Sequence, residues 1–204
     1  MLAVLYDAYL SFRLRRRLQD PPQHIAVVIT ERDLLEQGAY ETLTAFFEWA
    51  FEYGADRVTV SVSVLDEAVV PTLERELAEL SAPRPLAVRS PGDTEQVDEP
   101  IQLSIGLGGK REFTETVRQL AAAVDRSELS PDEIAAEHID DRLVFREEPD
   151  LVIKTGAERL SDFMIWQSVY SELYFTDVNW RDFRKREYLR ALLEYKRRTR
   201  RFGR

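Results

Sequence analysis

Five consecutive apolar residues, Ile25-Ala26-Val27-Val28-Ile29, constrain the fold more than any other stretch. A strand with one wet face alternates polar and apolar side chains. This run is apolar on both faces and has to be covered on both. Bounded by proline, Pro22–Ile29 predicts an interior strand of a parallel sheet with a layer on each side.

The chain around it alternates in the same sense. Gly38–Tyr53 has helical spacing, with Leu43, Phe46, Phe47 and Ala50 on one face and Gly54 ending it. Arg57–Leu65 is a valine-rich strand, Pro71–Leu80 a short charged helix and Leu86–Arg89 a third strand. Arg89–Pro100 is acidic, carries proline and glycine, and reads as a loop. Ile101–Ile105 is a strand, Arg111–Val124 a helix, and Pro131–Ile139 a helix opened by Ser130-Pro131. Ahead of these, Leu2–Leu18 reads as an amphipathic helix, suited to packing or to lying on a membrane surface. Strands alternating with helices predict an α/β fold, a mainly parallel central sheet flanked by helices. The expected organisation is a single domain over residues 1–204, with an N-terminal helix (1–18) and a basic C-terminal tail (181–204).

Composition narrows the chemistry. A chain of 204 residues, 44% hydrophobic, can bury a substantial core. With no cysteine, disulfide, zinc-thiolate and cysteine-nucleophile chemistry are excluded. No run has the length of a membrane span and no leader pattern opens the chain, so a cytoplasmic location is expected. The net charge is -9, yet the basic residues comprise 24 Arg and 4 Lys. An acidic, lysine-poor surface fits the salty cytoplasm of a halophilic archaeon, and a high-GC genome would also favour Arg over Lys. From Arg181 to Arg204 the net charge is +8, leaving -17 on the rest. A basic tail on an acidic body suggests diphosphates or phospholipid headgroups as partners, or a solvated helix face. Nucleic acid is not expected, because aromatic interleaving and a reading helix are both lacking.

The most informative stretch for function is Pro149-Asp150-Leu-Val-Ile-Lys154-Thr-Gly-Ala-Glu158-Arg159-Leu-Ser161-Asp-Phe-Met-Ile-Trp166-Gln-Ser-Val-Tyr170, continuing to Val178. Leu151–Ile153 is a short strand. A glycine turn follows, then a helix opening near Ser161 with Phe163, Ile165, Trp166, Val169 and Tyr170 at helical spacing. Lys154, Arg159 and Ser161 thereby meet at a strand-to-helix turn, where cations, a hydroxyl and free N–H groups suit a diphosphate.

The same stretch resembles the C-terminal signature of the cis-prenyltransferases, the undecaprenyl and dehydrodolichyl diphosphate synthase family. That family carries Arg-Thr-Gly/Ser-Gly-Glu-x-Arg-Leu-Ser-Asn/Asp-Phe-x-x-Trp-Gln where it binds the diphosphate of isopentenyl diphosphate. Ser171–Val178 with Trp180 and Phe183, and the terminal Arg200-Arg201-Phe202-Gly203, are similar to it as well. Gly106–Lys110 resembles the family's Tyr-Gly-Gly-Arg-x-Glu, and is equally readable as a plain turn. The resemblance implies a dimer whose terminal Arg-x-Gly, here Arg201 and Gly203, enters the partner's site. Substrate-binding roles are implied for Lys154, Arg159, Ser161, Arg201 and Gly203. Glu158 is the candidate metal ligand, in a turn one residue shorter than the family's.

The other half of the site departs from the family pattern. The family reaction condenses isopentenyl diphosphate onto an allylic diphosphate, with Mg²⁺ neutralising the leaving group through a carboxylate. The strand from His24 to Ile29 matches the family's His-x-Ala-x-x-Met, but Thr30 stands where its Asp-Gly-Asn begins. Glu31 and Asp33 are the nearby carboxylates, placed to reach inward, to sit in a turn or to cap a helix. Ser63–Ala68 replaces the family's Phe-Ser-x-Glu-Asn-Trp, and the helices walling its tunnel shrink to Pro71–Leu80. His24 and His138 lack metal-ligand spacing and read as structural. The resemblance therefore implies a non-catalytic subunit supporting a full-motif paralogue, as the Nogo-B receptor and its fungal relatives do. The alternatives are an active prenyltransferase with a rearranged metal site, Glu31 first, or a non-enzymatic isoprenoid diphosphate-binding protein. No residue is assigned a catalytic role.

Overall fold

A computed structural model describes residues 2–15, 20–93, 95–156 and 162–197. Its centre is a six-stranded sheet, parallel throughout. The strands are β1 (His24–Thr30), β2 (Arg57–Ser63), β3 (Leu86–Arg89), β4 (Ile101–Ile105), β5 (Leu151–Thr155) and β6 (Glu172–Thr176), in spatial order β3-β4-β2-β1-β5-β6. The predicted interior strand is interior: β1 pairs with β2 from His24↔Arg57 to Thr30↔Ser63 and with β5 from Ile25↔Leu151 to Val28↔Lys154.

Period-two side-chain alternation sorts β1 into two cores. Ile25, Val27 and Ile29 point into the larger, with Val58, Val60 and Val62 of β2 and Ile101, Leu103 and Ile105 of β4. This layer is closed by α1 (Leu2–Arg15), α3 (Ala39–Glu52), α4 (Val70–Ala78) and α7 (Lys185–Arg197). Phe46, Phe47, Leu73 and Leu77 fill the space above the sheet, and each is fully buried. Trp180 locks α3 to the C-terminal segment. Its ring lies edge-on to Phe46 at 5.7 Å and stacks on Phe183 at 5.5 Å, while Nε1 donates to the Ala39 carbonyl. On α1, Leu10 and Leu14 are buried whereas Tyr6, Tyr9 and Phe12 are exposed. Among the described residues no helix is long and apolar enough to cross a membrane.

Ala26, Val28 and Val152 point the other way, against Val144, Phe145, Phe163 and Met164. This second face is more polar, with His24, Thr59, Ser61, Gln102, Ser104 and Lys154 all buried. Behind it lies α5 (Gly109–Asp125), followed by a 3-10 turn at Pro131–Glu133 and the short α6 (Ala136–Asp140).

Several expectations are corrected. The helix expected over Pro131–Ile139 is split, because Ile134 is extended (ψ 117) between the 3-10 turn and α6. The helix expected to open near Ser161 is not formed: residues 162–170 are bends and turns. Met164 sits at φ 39, outside the right-handed helical region, and both Phe163 and Met164 are buried while Val169 and Tyr170 are exposed. Two elements were not foreseen, β6 and the one-turn helix α2 (Glu31–Leu34), and residues 185–197 of the basic tail are helical.

His24 is structural, as its position at a strand start suggested. Its Nε2 lies 2.8 Å from Thr59 Oγ1 and its backbone N–H donates to Asp150. Burial, followed by the Arg57 charge, lowers its imidazole to about 4. The unfolded imidazole, near 6.5, therefore takes up a proton that the folded one refuses. Stability present above pH 6.5 is lost as pH falls toward 4, by about 3 kcal/mol at most. Urea unfolding between pH 7 and 4.5 is expected to show a shallower acid loss in His24→Gln than in the parent. Equal slopes would contradict it.

Candidate functional site

In a parallel sheet the crevice for a ligand opens beyond the C-terminal ends of strands flanking the point where strand order reverses. Here β2 lies on one side of β1 and β5 on the other, so Thr30 and Thr155-Gly156 border that crevice. Lys154, the one predicted binding residue inside the described stretches, is on β5 between Val28 and Phe175. Its side chain is buried, and Nζ donates to the Thr155 carbonyl at 2.7 Å. Thr155 Oγ1 is buried without a hydrogen-bond partner among the described residues. Gly156 turns the chain with φ 75 and donates its N–H to the Val178 carbonyl. Arg159, Ser161, Arg201, Gly203 and Glu158 lie outside the described residues.

The β1 end is built for capping. The Thr30 backbone N–H donates to Asp33 Oδ2 at 2.7 Å, its hydroxyl donates to the same oxygen, and that hydroxyl accepts from the Asp33 N–H. This reciprocal box starts α2 and occupies Asp33. Glu31 is buried, and its Oε2 accepts from the Leu65 N–H at 2.9 Å and the Asp66 N–H at 3.3 Å. It anchors the loop that follows β2, where Leu65 itself is exposed. Both carboxylates near Thr30 are therefore engaged in local structure. Among the described residues no group of three or more His, Asp or Glu side chains comes together around a cation position. At the β1 end, Glu31 and Asp33 could ligate a magnesium ion only by giving up their backbone N–H partners.

Beyond β4 the glycine loop makes a close approach. The Asp162 carbonyl accepts from the Gly109 N–H at 2.7 Å and Asp162 Oδ1 accepts from the Lys110 N–H at 2.7 Å, so Asp162 occupies the start of α5. Deeper on α5, Glu112 accepts from the Val144 and Phe145 N–H groups at 2.8 and 3.1 Å. The Gln167 amide donates to Glu112 and to the Phe145 carbonyl, and Trp166 donates to Asp140 while stacking on Phe113. The Trp-Gln pair thus ties residues 162–170 to α5. His138 is on α6, where Nδ1 accepts from the Ala135 N–H.

The comparisons with known proteins follow this division of the chain. The family model described as "Putative undecaprenyl diphosphate synthase" matches residues 89–203. The chain belongs to the undecaprenyl diphosphate synthase, or cis-prenyltransferase, family. A relative from Methanocaldococcus jannaschii, named tritrans,polycis-undecaprenyl-diphosphate synthase (geranylgeranyl-diphosphate specific), is 45% identical over 108 residues, 50% of this chain and 39% of its own length. An isoprenyl transferase from Thermus thermophilus is 42% identical over 112 residues, 51% of this chain and 42% of its own. The matched stretch thus spans about two fifths of each relative. In structure, the chain is similar to lavandulyl diphosphate synthase from Lavandula x intermedia, solved with dimethylallyl diphosphate. The TM-score is 0.75 at 23% identity, over 90% of this chain and 99% of that one. The cis-prenyltransferase fold therefore extends into the N-terminal region that the family model does not match.

The sequence missed Glu31 as a loop anchor and Asp162 as a helix cap. A usable signal for the second was Gly108-Gly109 ahead of a helix without a capping side chain.

Proposed function

We propose that this chain is a non-catalytic subunit of a heteromeric cis-prenyltransferase in polyprenyl diphosphate synthesis, supporting a partner with the complete Asp-Gly-Asn motif. The observation that carries the reading is Thr30, which stands at the family's metal-binding position and is committed to Asp33 in a capping box. The engaged Glu31 argues against a rearranged metal site. The filled space between α3, α4 and the sheet accords with loss of a prenyl-chain tunnel.

Lys154, Arg159 and Ser161 retain a diphosphate-binding role in this reading, toward isopentenyl diphosphate. Lys154 offers a point charge, without the planar fork of an arginine. Arg201 and Gly203 reach the partner's diphosphate. Magnesium is then held by the partner's carboxylates. Exposed Tyr6, Tyr9 and Phe12 on α1 fit peripheral contact with a membrane.

The test is isopentenyl diphosphate incorporation by the full-motif paralogue of the same genome, with Mg²⁺, an allylic primer and high salt. Adding this chain is expected to stimulate the paralogue, and Arg201→Ala to abolish the stimulation. No stimulation would favour an isoprenoid diphosphate-binding protein without an enzymatic partner.

A further inference from the structure

We propose that a cavity at the N-terminal ends of β1, β2 and β4 binds a small neutral polyol of monosaccharide size. It lies on the second face of the sheet, at the opposite end of the strands from the crevice beside Thr30 and Gly156. None of its lining residues belongs to the diphosphate-binding set, so it stands apart from the function proposed above. The cavity holds about 350 Å³. Small-molecule pockets run from about 300 to 1,000 Å³, so the space suits a ligand at the compact end.

His24, Thr59 and Gln102 form its floor, and all three are buried. Such positions in the interior of a parallel sheet are ordinarily apolar. His24 Nε2 meets Thr59 Oγ1 at 2.8 Å. Gln102 donates its Nε2 to the Val97 and Glu99 carbonyls at 3.0 and 3.4 Å, while its Oε1 accepts nothing among the described residues. Two segments close over this floor, one between β3 and β4 and the other ahead of β5. Gln96 stitches them together, its amide donating to the Asp141 and Leu143 carbonyls at 3.0 and 2.9 Å. Arg57 makes a second tie, with Nη2 2.7 Å from Asp98 and Nε 2.5 Å from Glu147.

Charge selects the ligand class. At the rim Arg57 and Arg146 are balanced by Asp98 and Glu147, so the cavity has no net charge to offer an ion. Burial keeps the His24 imidazole neutral at neutral pH. Moving an ion from water onto a floor of neutral groups is costly without a compensating charge. A hydroxyl both donates and accepts, and so can satisfy Thr59 and Gln102 Oε1 alike. Val97, Val144 and Phe145 add apolar lining, which suits the C–H face of a sugar ring.

The test is saturation-transfer NMR of the full chain with glucose and, separately, myo-inositol. Sugars stabilise most folded proteins by exclusion from their surface, so a thermal shift is not the readout. Binding is expected with a dissociation constant of about 1 mM. Val97→Trp places an indole in the cavity from a half-buried loop position and is expected to abolish binding. Gln102→Leu is expected to weaken it about tenfold. Circular dichroism checks that both variants fold, and Val97→Trp decides if the buried Gln102→Leu does not. Excess inorganic diphosphate is expected to displace neither polyol. No transfer to either polyol, an undiminished signal from a folded Val97→Trp, or displacement by diphosphate would overturn the inference.

Discussion

Trp180→Ala is expected to lower folding stability by about 3–5 kcal/mol, the range for emptying a large aromatic site in a core. The indole is fully buried, stacks on Phe183, meets Phe46 edge-on and spends its N–H on the Ala39 carbonyl. Removing it opens a cavity among rings that α3 and α7 jointly hold, since Tyr188 of α7 also lies edge-on to Phe46 at 5.7 Å. At this chain length the midpoint of thermal unfolding should fall by roughly 10 °C. Trp180→Phe keeps a stacked ring but loses the hydrogen bond and part of the buried ring volume, for about 1–3 kcal/mol. A loss below about 1 kcal/mol for the alanine variant would mean that the C-terminal segment is not part of the cooperative core.

The second large effect is at Glu112. Its carboxylate is the acceptor for the Val144 and Phe145 N–H groups, and alanine leaves both buried donors unpaired. The expected cost is about 2–4 kcal/mol. Glu112→Gln keeps an acceptor oxygen and removes a desolvated charge. Burial raises the Glu112 carboxyl above its ordinary value, with the two N–H groups and Gln167 pulling the other way. The folded chain thus holds the Glu112 proton at pH values where the unfolded chain has lost it. The stability it contributes is present below the unfolded pKa and is lost as pH rises through the folded one. Glutamine should therefore come within about 1 kcal/mol of the parent at neutral pH and compare better there than at acidic pH. Urea titrations at two pH values check this, and a glutamine variant as damaged as alanine would contradict it.

How much of this was legible in the sequence depended on whether a residue's role was local. The run Ile25–Ile29 is apolar on both faces, and that fixes β1 at the centre whatever surrounds it. The edge strand β6 gave no such signal. Glu172, Leu173, Tyr174 and Thr176 are all half-buried, so burial does not alternate cleanly along it. In α7 the buried Tyr188, Leu189 and Leu192 were masked by the basic residues around them. The apolar spacing after Ser161 was real. It serves docking onto α5, which Asp162, Trp166 and Gln167 secure by contacts far apart in sequence.

The site divided in the same way. Lys154 could be placed because it ends a recognisable strand, and Asp33 fits one of the roles open to it, a helix cap. Glu31 could not be resolved between ligand and anchor, because the amides it binds belong to a loop 34 residues away.

With Thr30 and Asp33 paired in the cap of α2 and Glu31 bound to the Leu65 amide, the β1 end is proposed to support no catalysis. This is tested most directly by the purified chain alone, incubated at high salt with Mg²⁺, an allylic primer and radiolabelled isopentenyl diphosphate. No product above the enzyme-free control is expected, and the same for Glu31→Gln. Primer elongation by the parent chain, lost in Glu31→Gln, would contradict it and show Glu31 to be the metal carboxylate of an active enzyme.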